Sequence, residues 1–265
     1  MDSPLLFAVG LSLFFGTLSA AIAANKNRSK YGWFFAGVLL GPFGLLVAVL
    51  RRIKPVVVVV DVQADFTSAH NGTLATSGSD ESYLKTVSSA TRAFKDAGLT
   101  VFATQDWHPA NHMSFADNHP DKKPFDTIEI SDGWIQTLWP VHCVQDTDGA
   151  ALAIEPGIIS DVIRKGQDPQ FDSYSGFRDD GGVKTLLREK LTEAGAKSLI
   201  IYGIATDYCV KATVLDALQL GYKVCLVTDL CRGVSEDTSL SAITEMAEKG
   251  AFIMQSLDLK KALRF

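Results

Sequence analysis

Residues 56–61 read Val56-Val57-Val58-Val59-Val60-Asp61. Five consecutive β-branched residues without polar alternation describe a strand buried on both faces, as inside a parallel sheet. Comparable short apolar runs recur at 99–104, 162–164, 199–203, 224–228 and 251–254, with helical patterns near 80–97, 183–194, 208–219 and 236–248 between most of them. Strand alternating with helix predicts an α/β domain, a mainly parallel sheet with helices on both faces. Only the excursion from 108 to 161 breaks the alternation. Long irregular segments of this kind usually carry function, and only short structure is expected inside it.

Upstream the character changes. Ile53-Lys54-Pro55 is a short junction, which divides a segment 1–54 from a domain 55–265. The 265 residues carry a net charge of −5 with 21% charged side chains, which excludes a disordered chain, a collagen-like chain and a basic nucleic-acid binder. That average hides a split. Residues 1–54 hold six basic groups (Lys26, Arg28, Lys30, Arg51, Arg52, Lys54) against Asp2 alone, a net of +5, and the remainder is −10.

Within 1–54, residues 4–24 and 31–50 contain no charge, and each stretch is long enough for a helix to cross a hydrocarbon core of about 30 Å. Only Asn25-Lys26-Asn27-Arg28-Ser29-Lys30 separates them. The reading is a two-helix transmembrane hairpin with both ends on one side. Ala8, Ser12, Gly16, Ala20 and Ala24 recur every four residues, Gly37 and Gly41 follow the same spacing, and small side chains let helices approach closely in lipid. Tyr31, Trp33 and Phe34 sit where aromatics anchor at headgroups, and Pro42 is expected to kink the second helix. A cleaved signal peptide would need a basic n-region, which Met1-Asp2-Ser3 lacks. Two soluble core helices would each need a polar face, and neither has one.

Ligands of open parallel sheets bind beyond the carboxyl ends of the strands. Asp61 ends the first predicted strand, Asp106-Trp107-His108 follows the second, Lys165 closes the third, and Ala205-Thr206-Asp207-Tyr208-Cys209 follows the fourth. An acid, a metal-ligand pair, a lysine and a cysteine thus converge on one rim. Cys209 is expected in the first turn of a helix beginning near Asp207, where free N–H groups and the helix dipole lower a thiol's pKa and offer an oxyanion site. Most free cysteines are small buried hydrophobes, and Cys143, Cys225 and Cys231 are read that way. Strand-end placement marks Cys209 as a nucleophile instead, with Asp61 as its base and Lys165 tuning that carboxylate. Asp106-x-His108 presents two ligands on one side of an extended stretch, and His142 offers a third. Spacing leaves the choice open among His142, His112 and His119. His70, in a Gly- and Thr-rich loop, reads as a surface residue.

Four ordered motifs carry a family resemblance: Asp61-Val62-Gln63-Ala64-Asp65-Phe66, residues 106–115 (Asp106-Trp107-His108 through Phe115), Trp139-Pro140-Val141-His142-Cys143, and residues 203–210 (Gly203 through Val210). Over about residues 56–257 the chain resembles bacterial nicotinamidases (pyrazinamidases) of the isochorismatase-like cysteine hydrolases. The resemblance implies a six-stranded sheet in doubly wound order and a catalytic triad of Cys209, Asp61 and Lys165. It further implies Asp106, His108 and His142 as metal ligands, with His112 a fourth ligand in some members only. Phe66, Trp139 and Tyr174 match residues that sandwich a pyridine ring, and Ala205 and Cys209 match an oxyanion hole beside a cis Ile204–Ala205 bond.

The implied reaction is hydrolysis of nicotinamide to nicotinate and ammonia, and of pyrazinamide likewise, through a cysteine thioester in NAD salvage. The cofactor would be one divalent ion, zinc foremost, with iron or manganese as alternatives. Two other readings compete: a hydrolase of another small amide or enol ether, and a membrane-tethered binding protein without turnover. The small-molecule partner is nicotinamide, nucleic acid is not expected, and homo-oligomer formation stays open. Ala64 replaces the family's usual Asn, and residues 1–50 lie outside the pattern. The positive-inside count ties, with Lys26, Arg28 and Lys30 opposing Arg51, Arg52 and Lys54. Unpaired thiols favour a reducing compartment, so the expectation is a membrane-anchored protein with both ends cytoplasmic and the six-residue turn outside. A soluble cytoplasmic protein is the alternative.

Overall fold

A computed structural model describes residues 3–50, 53–130, 133 and 135–265. Asp2, Arg51, Arg52 and Asp132, which enter the charge counts, lie outside the described residues. The chain divides into two compact units, Met1–Lys54 with Arg264–Phe265, and Pro55–Leu263.

In the first unit α1 spans Ser3–Asn25 and α2 spans Lys30–Leu40, capped by the Ser29 hydroxyl, which accepts from the Gly32 N–H. By length and composition alone, residues 6–25 and 30–48 are apolar enough to cross a membrane. The expected second helix over 31–50 is nevertheless not continuous. It stops at Leu40, and Gly41–Val49 form a 3-10 helix. The cause is local. Gly41 takes φ +57°, a left-handed stop, and Pro42 has no N–H to continue the α-helical ladder.

The second unit holds the sheet. Its strands are β1 (Val56–Val60), β2 (Val101–Asp106), β5 (Asp161–Lys165), β6 (Ser198–Gly203), β7 (Lys223–Val227) and β8 (Phe252–Met254); β3 (Thr127–Glu129) and β4 (Ile135–Thr137) make a separate antiparallel pair. The order is β5-β2-β1-β6-β7-β8 and every pairing in it is parallel. Every residue of β1 is buried, as its unbroken valine run requires of the strand at the middle of the winding. The winding reverses between β1 and β6, so the switch-point crevice opens at Asp61 and Ile204.

The helices are α3 (Glu81–Asp96), α4 (Leu187–Glu193), α5 (Lys211–Gln219), α6 (Glu236–Glu248) and the short α7 (Leu259–Ala262). Asp80 caps α3 by accepting from the Tyr83 N–H at 3.0 Å. The buried stripe Tyr83, Leu84, Val87, Ala90, Thr91 and Phe94 recurs at helical spacing, and the Thr91 hydroxyl meets the Tyr202 hydroxyl of β6 at 2.8 Å. Helix α4 begins four residues later than the pattern suggests. Thr185 donates to the Gly176 carbonyl and accepts from the Leu187 N–H, which holds 183–186 to the neighbouring loop.

Candidate active site

Register builds the centre of the site. Asp106 and Lys165 are direct partners in the β2–β5 pairing, and Lys165 Nζ lies 2.5 Å from Asp106 Oδ1. Asp61 follows β1 with φ +46°, a left-handed conformation that aspartate tolerates better than most residues. Its Oδ2 lies 3.1 Å from Lys165 Nζ, and its Oδ1 accepts from the Thr104 hydroxyl at 2.6 Å. Cys209 Sγ is 3.6 Å from the same ammonium. Lys165 also donates to the Ser173 carbonyl, and all four of Asp61, Asp106, Lys165 and Cys209 are buried.

Burial drives the Asp61 pKa up to about 6, against the pull of Lys165 and with the push of Asp106. For Asp106, burial acts upward too, but Lys165 and His108 outweigh it and hold the carboxyl well below the usual range. Lys165 stays charged, because its two carboxylates outweigh desolvation. The expected lowering of the Cys209 pKa is not found. Cys209 sits in a π turn, Thr206–Val210, ahead of α5. Burial and the carboxylates of Asp61 and Asp106 lift the thiol well above its ordinary value, with Lys165 the opposing influence. The resting group is a thiol, so its proton must pass to a neighbour during attack.

Asp106, His108 and His142 offer ligand atoms that all lie within 4.8 Å of one another. His108 Nδ1 faces the Gly166 carbonyl at 2.8 Å, and His142 Nδ1 faces the Pro140 carbonyl at 2.7 Å. Carbonyls only accept, so each Nδ1 carries hydrogen and the neutral ring keeps its lone pair on Nε2. Burial and the nearby His108 push His142 down to about 4, which leaves it neutral at pH 7. The donor set therefore fits a divalent cation. Gly166, at φ +64°, allows this arrangement, since a Cβ there would come within 2.3 Å of His108 Cε1.

His112 is close, with its ring centroid 4.2 Å from that of His108, but both its nitrogens are engaged. Nε2 donates to the Phe171 carbonyl at 3.1 Å and Nδ1 meets the Ser114 hydroxyl at 2.7 Å. His119 turns to the Met113 carbonyl, and His70 is exposed with Nδ1 on the Thr67 hydroxyl.

A cleft opens over these groups, bordered by Phe66, Trp139, Tyr174, Ala205 and Cys209 along with Asp106 and His142. Phe66 lies 5.4 Å from the His142 ring, and Trp139 Nε1 donates to the Tyr174 hydroxyl at 3.1 Å. The Ile204–Ala205 peptide bond is cis. Several lining or supporting groups carry no assignment from the motifs. Tyr208 packs edge-on against Trp139 at 5.0 Å, and its place beside Cys209 was the available signal. Gln63 donates to the Asp106 carbonyl and accepts from the Asp106 N–H, both at 2.8 Å, which ties the Asp61 loop to β2. Thr104, which donates to Asp61, and Asp172, which lines the cleft, had no signal, since their places depend on which strands and loops become neighbours.

A doubly wound sheet with carboxylate, ammonium, thiol and a metal-fitting donor set at its switch point defines a hydrolase of the α/β class. The chain belongs to the isochorismatase family: residues 55–258 match the isochorismatase domain. The nicotinamidase of Escherichia coli is 45% identical over 207 residues, covering 75% of this chain and 93% of that protein. A solved nicotinamidase/pyrazinamidase from Acinetobacter baumanii superposes with a TM-score of 0.70 at 39% identity, over 77% of this chain and 96% of that one. A pyrazinamidase of Pyrococcus horikoshii in complex with zinc gives 0.63 at 35% identity, over 76% and 98% of the two chains.

Proposed function

We propose that this chain hydrolyses nicotinamide to nicotinate and ammonia, and pyrazinamide likewise, through a thioester on Cys209. The observation that carries the reading is the meeting of Cys209 and Asp61 on one ammonium, beneath an aromatic cleft walled by His142. Its high-identity relatives support the same substrate class.

The sequence of events follows from the geometry. Asp61 takes the Cys209 proton as sulfur attacks the carboxamide carbon, and Lys165 compensates the charge left between them. The backbone N–H groups of Ala205 and Cys209 hold the developing oxyanion, a role worth about 100- to 1,000-fold in rate per donor. The intermediate collapses, the C–N bond breaks, and Asp61 returns its proton to the departing amine. Water then gives a proton to Asp61 and attacks the thioester, the C–S bond breaks to release nicotinate, and Asp61 returns the proton to the Cys209 sulfur. Phe66, Trp139 and Tyr174 clamp the ring faces. Asp106, His108 and His142 would hold one divalent ion, with zinc favoured by the donor set and by the zinc-bound relative. Bound there, the ion supplies a Lewis-acidic anchor that orients the ring.

The apolar first unit anchors the protein in a membrane, with the catalytic unit in the cytoplasm. What supports the anchor is the outward apolar surface of α1 and α2, including Phe7 at 73% and Leu39 at 80% exposure, and the side is supported by the free thiols, which suit a reducing compartment. Purified protein given nicotinamide, pyrazinamide or isochorismate tests the chemistry directly. Ammonia release from the first two is expected. Turnover of isochorismate alone would move the activity to an enol ether, and no turnover at all would leave a binding protein.

A further inference from the structure

The second apolar segment does not run the length of α1. Helix α1, with 23 residues, is about 34 Å long at about 1.5 Å per residue, enough to span a hydrocarbon core of about 30 Å. Helix α2 has 11 residues and the 3-10 helix has 9, so each is only about 16–18 Å long. The hydrogen bonds show where the 3-10 helix goes. Lys26 Nζ, on the turn after α1, donates to the carbonyls of Ala48 and Leu50. The Ile53 N–H donates to the Lys26 carbonyl at 3.1 Å, and Asn27 Nδ2 donates to the Ile53 carbonyl at 3.1 Å. Ala48, Leu50 and Ile53 have therefore returned to the turn from which α2 departed.

Packing agrees. A Cβ on Gly44 would come within 2.5 Å of Gly37 Cα and 2.9 Å of the Ser19 hydroxyl, so the returning helix lies beside both α2 and the second half of α1. In the first half of α1, residues 6–11 are all exposed, and a Cβ on Gly10 would have nothing within 4 Å. A bent partner half as long as α1 leaves that half bare. The reversal at Gly41-Pro42 also suits lipid, because Pro42 has no N–H to leave unsatisfied.

We infer that the anchor is one full span, α1, beside a re-entrant helical pair that enters and leaves on the same face of the bilayer. This rests on the membrane reading above and alters its topology. The turn and the exit to the catalytic unit share one face, and the Ser3 end of α1 lies on the other. The tie in the positive-inside count then disappears. Among the described residues Lys26, Arg28, Lys30 and Lys54 gather on the exit face. These four basic groups make that face cytoplasmic. The turn is inside.

Three variants of the full chain that each add one cysteine, Ser3→Cys, Ser29→Cys and Ser256→Cys, test this in sealed vesicles of known orientation with an impermeant maleimide. The unaltered chain serves as the blank for its buried thiols. Labelling of Ser29→Cys and Ser256→Cys from the cytoplasmic face alone, and of Ser3→Cys from the opposite face alone, is the expected result. Ser29→Cys and Ser256→Cys reacting from opposite faces would overturn the re-entrant pair and restore a straight hairpin. Release of the unaltered chain by an alkaline carbonate wash would instead remove the anchor itself, and the topology with it.

Discussion

Asp61 is a carboxylate whose surroundings pull its proton affinity in opposite directions, and the balance leaves it near neutrality. As the proposed base it works only when ionised, so the rate should be full above about 6 and fall on acidification. A pH profile of kcat/KM should show an acidic limb there, dropping about tenfold per unit. The Thr104 hydroxyl holds that pKa down, so Thr104→Val should shift the limb to higher pH while the alkaline plateau persists. An unmoved limb would assign the titration to another group. Cys209→Ala should cost roughly 10⁴-fold or more in turnover, with nicotinamide binding nearly intact by calorimetry. Retention of a tenth of the activity would place the nucleophile elsewhere.

The donor set draws on the last residue of β2, the segment that follows it and the loop around Trp139, and the short hydrogen bonds of each imidazole determine whether it can bind metal. His108 and His142 spend Nδ1 on carbonyls, whereas His112 spends both nitrogens. Asp106→Ala and His142→Ala should therefore lose bound metal, measured by elemental analysis, and His112→Ala should keep a stoichiometric ion. Metal lost from His112→Ala to the same extent would make it a fourth ligand. The element ends matter in the same way elsewhere. The apolar run 31–50 has the composition of a span, but Gly41-Pro42 converts it into two half-length pieces.

The molecule joins a basic, outwardly apolar unit to an acidic one with its own buried sheet. Because Pro55–Leu263 encloses a complete six-stranded core, a chain beginning at residue 55 should fold alone. It should be recovered in the soluble fraction, with kcat and KM for nicotinamide close to those of the full chain. A large rise in KM on removal of 1–54 would tie the apolar unit to the site and contradict its role as an anchor only.

What the sequence determined by itself is whatever depends on neighbours along the chain. The valine run before Asp61, the alternation of strands and helices, the polar turn at 25–30 and the four motifs are all short-range patterns, and they disclose the fold class and the site residues that cluster. The tertiary structure decided what depends on groups far apart in sequence. The Asp106–Lys165 pairing needs the β2–β5 register, and the raised pKa of the Cys209 thiol needs burial next to two carboxylates. Thr104 bears on Asp61 only because β2 lies beside β1. The course of residues 41–50 is of the same kind. Hydropathy counts apolar length without direction, and Lys26 reaching the carbonyls of Ala48 and Leu50 marks the chain's return.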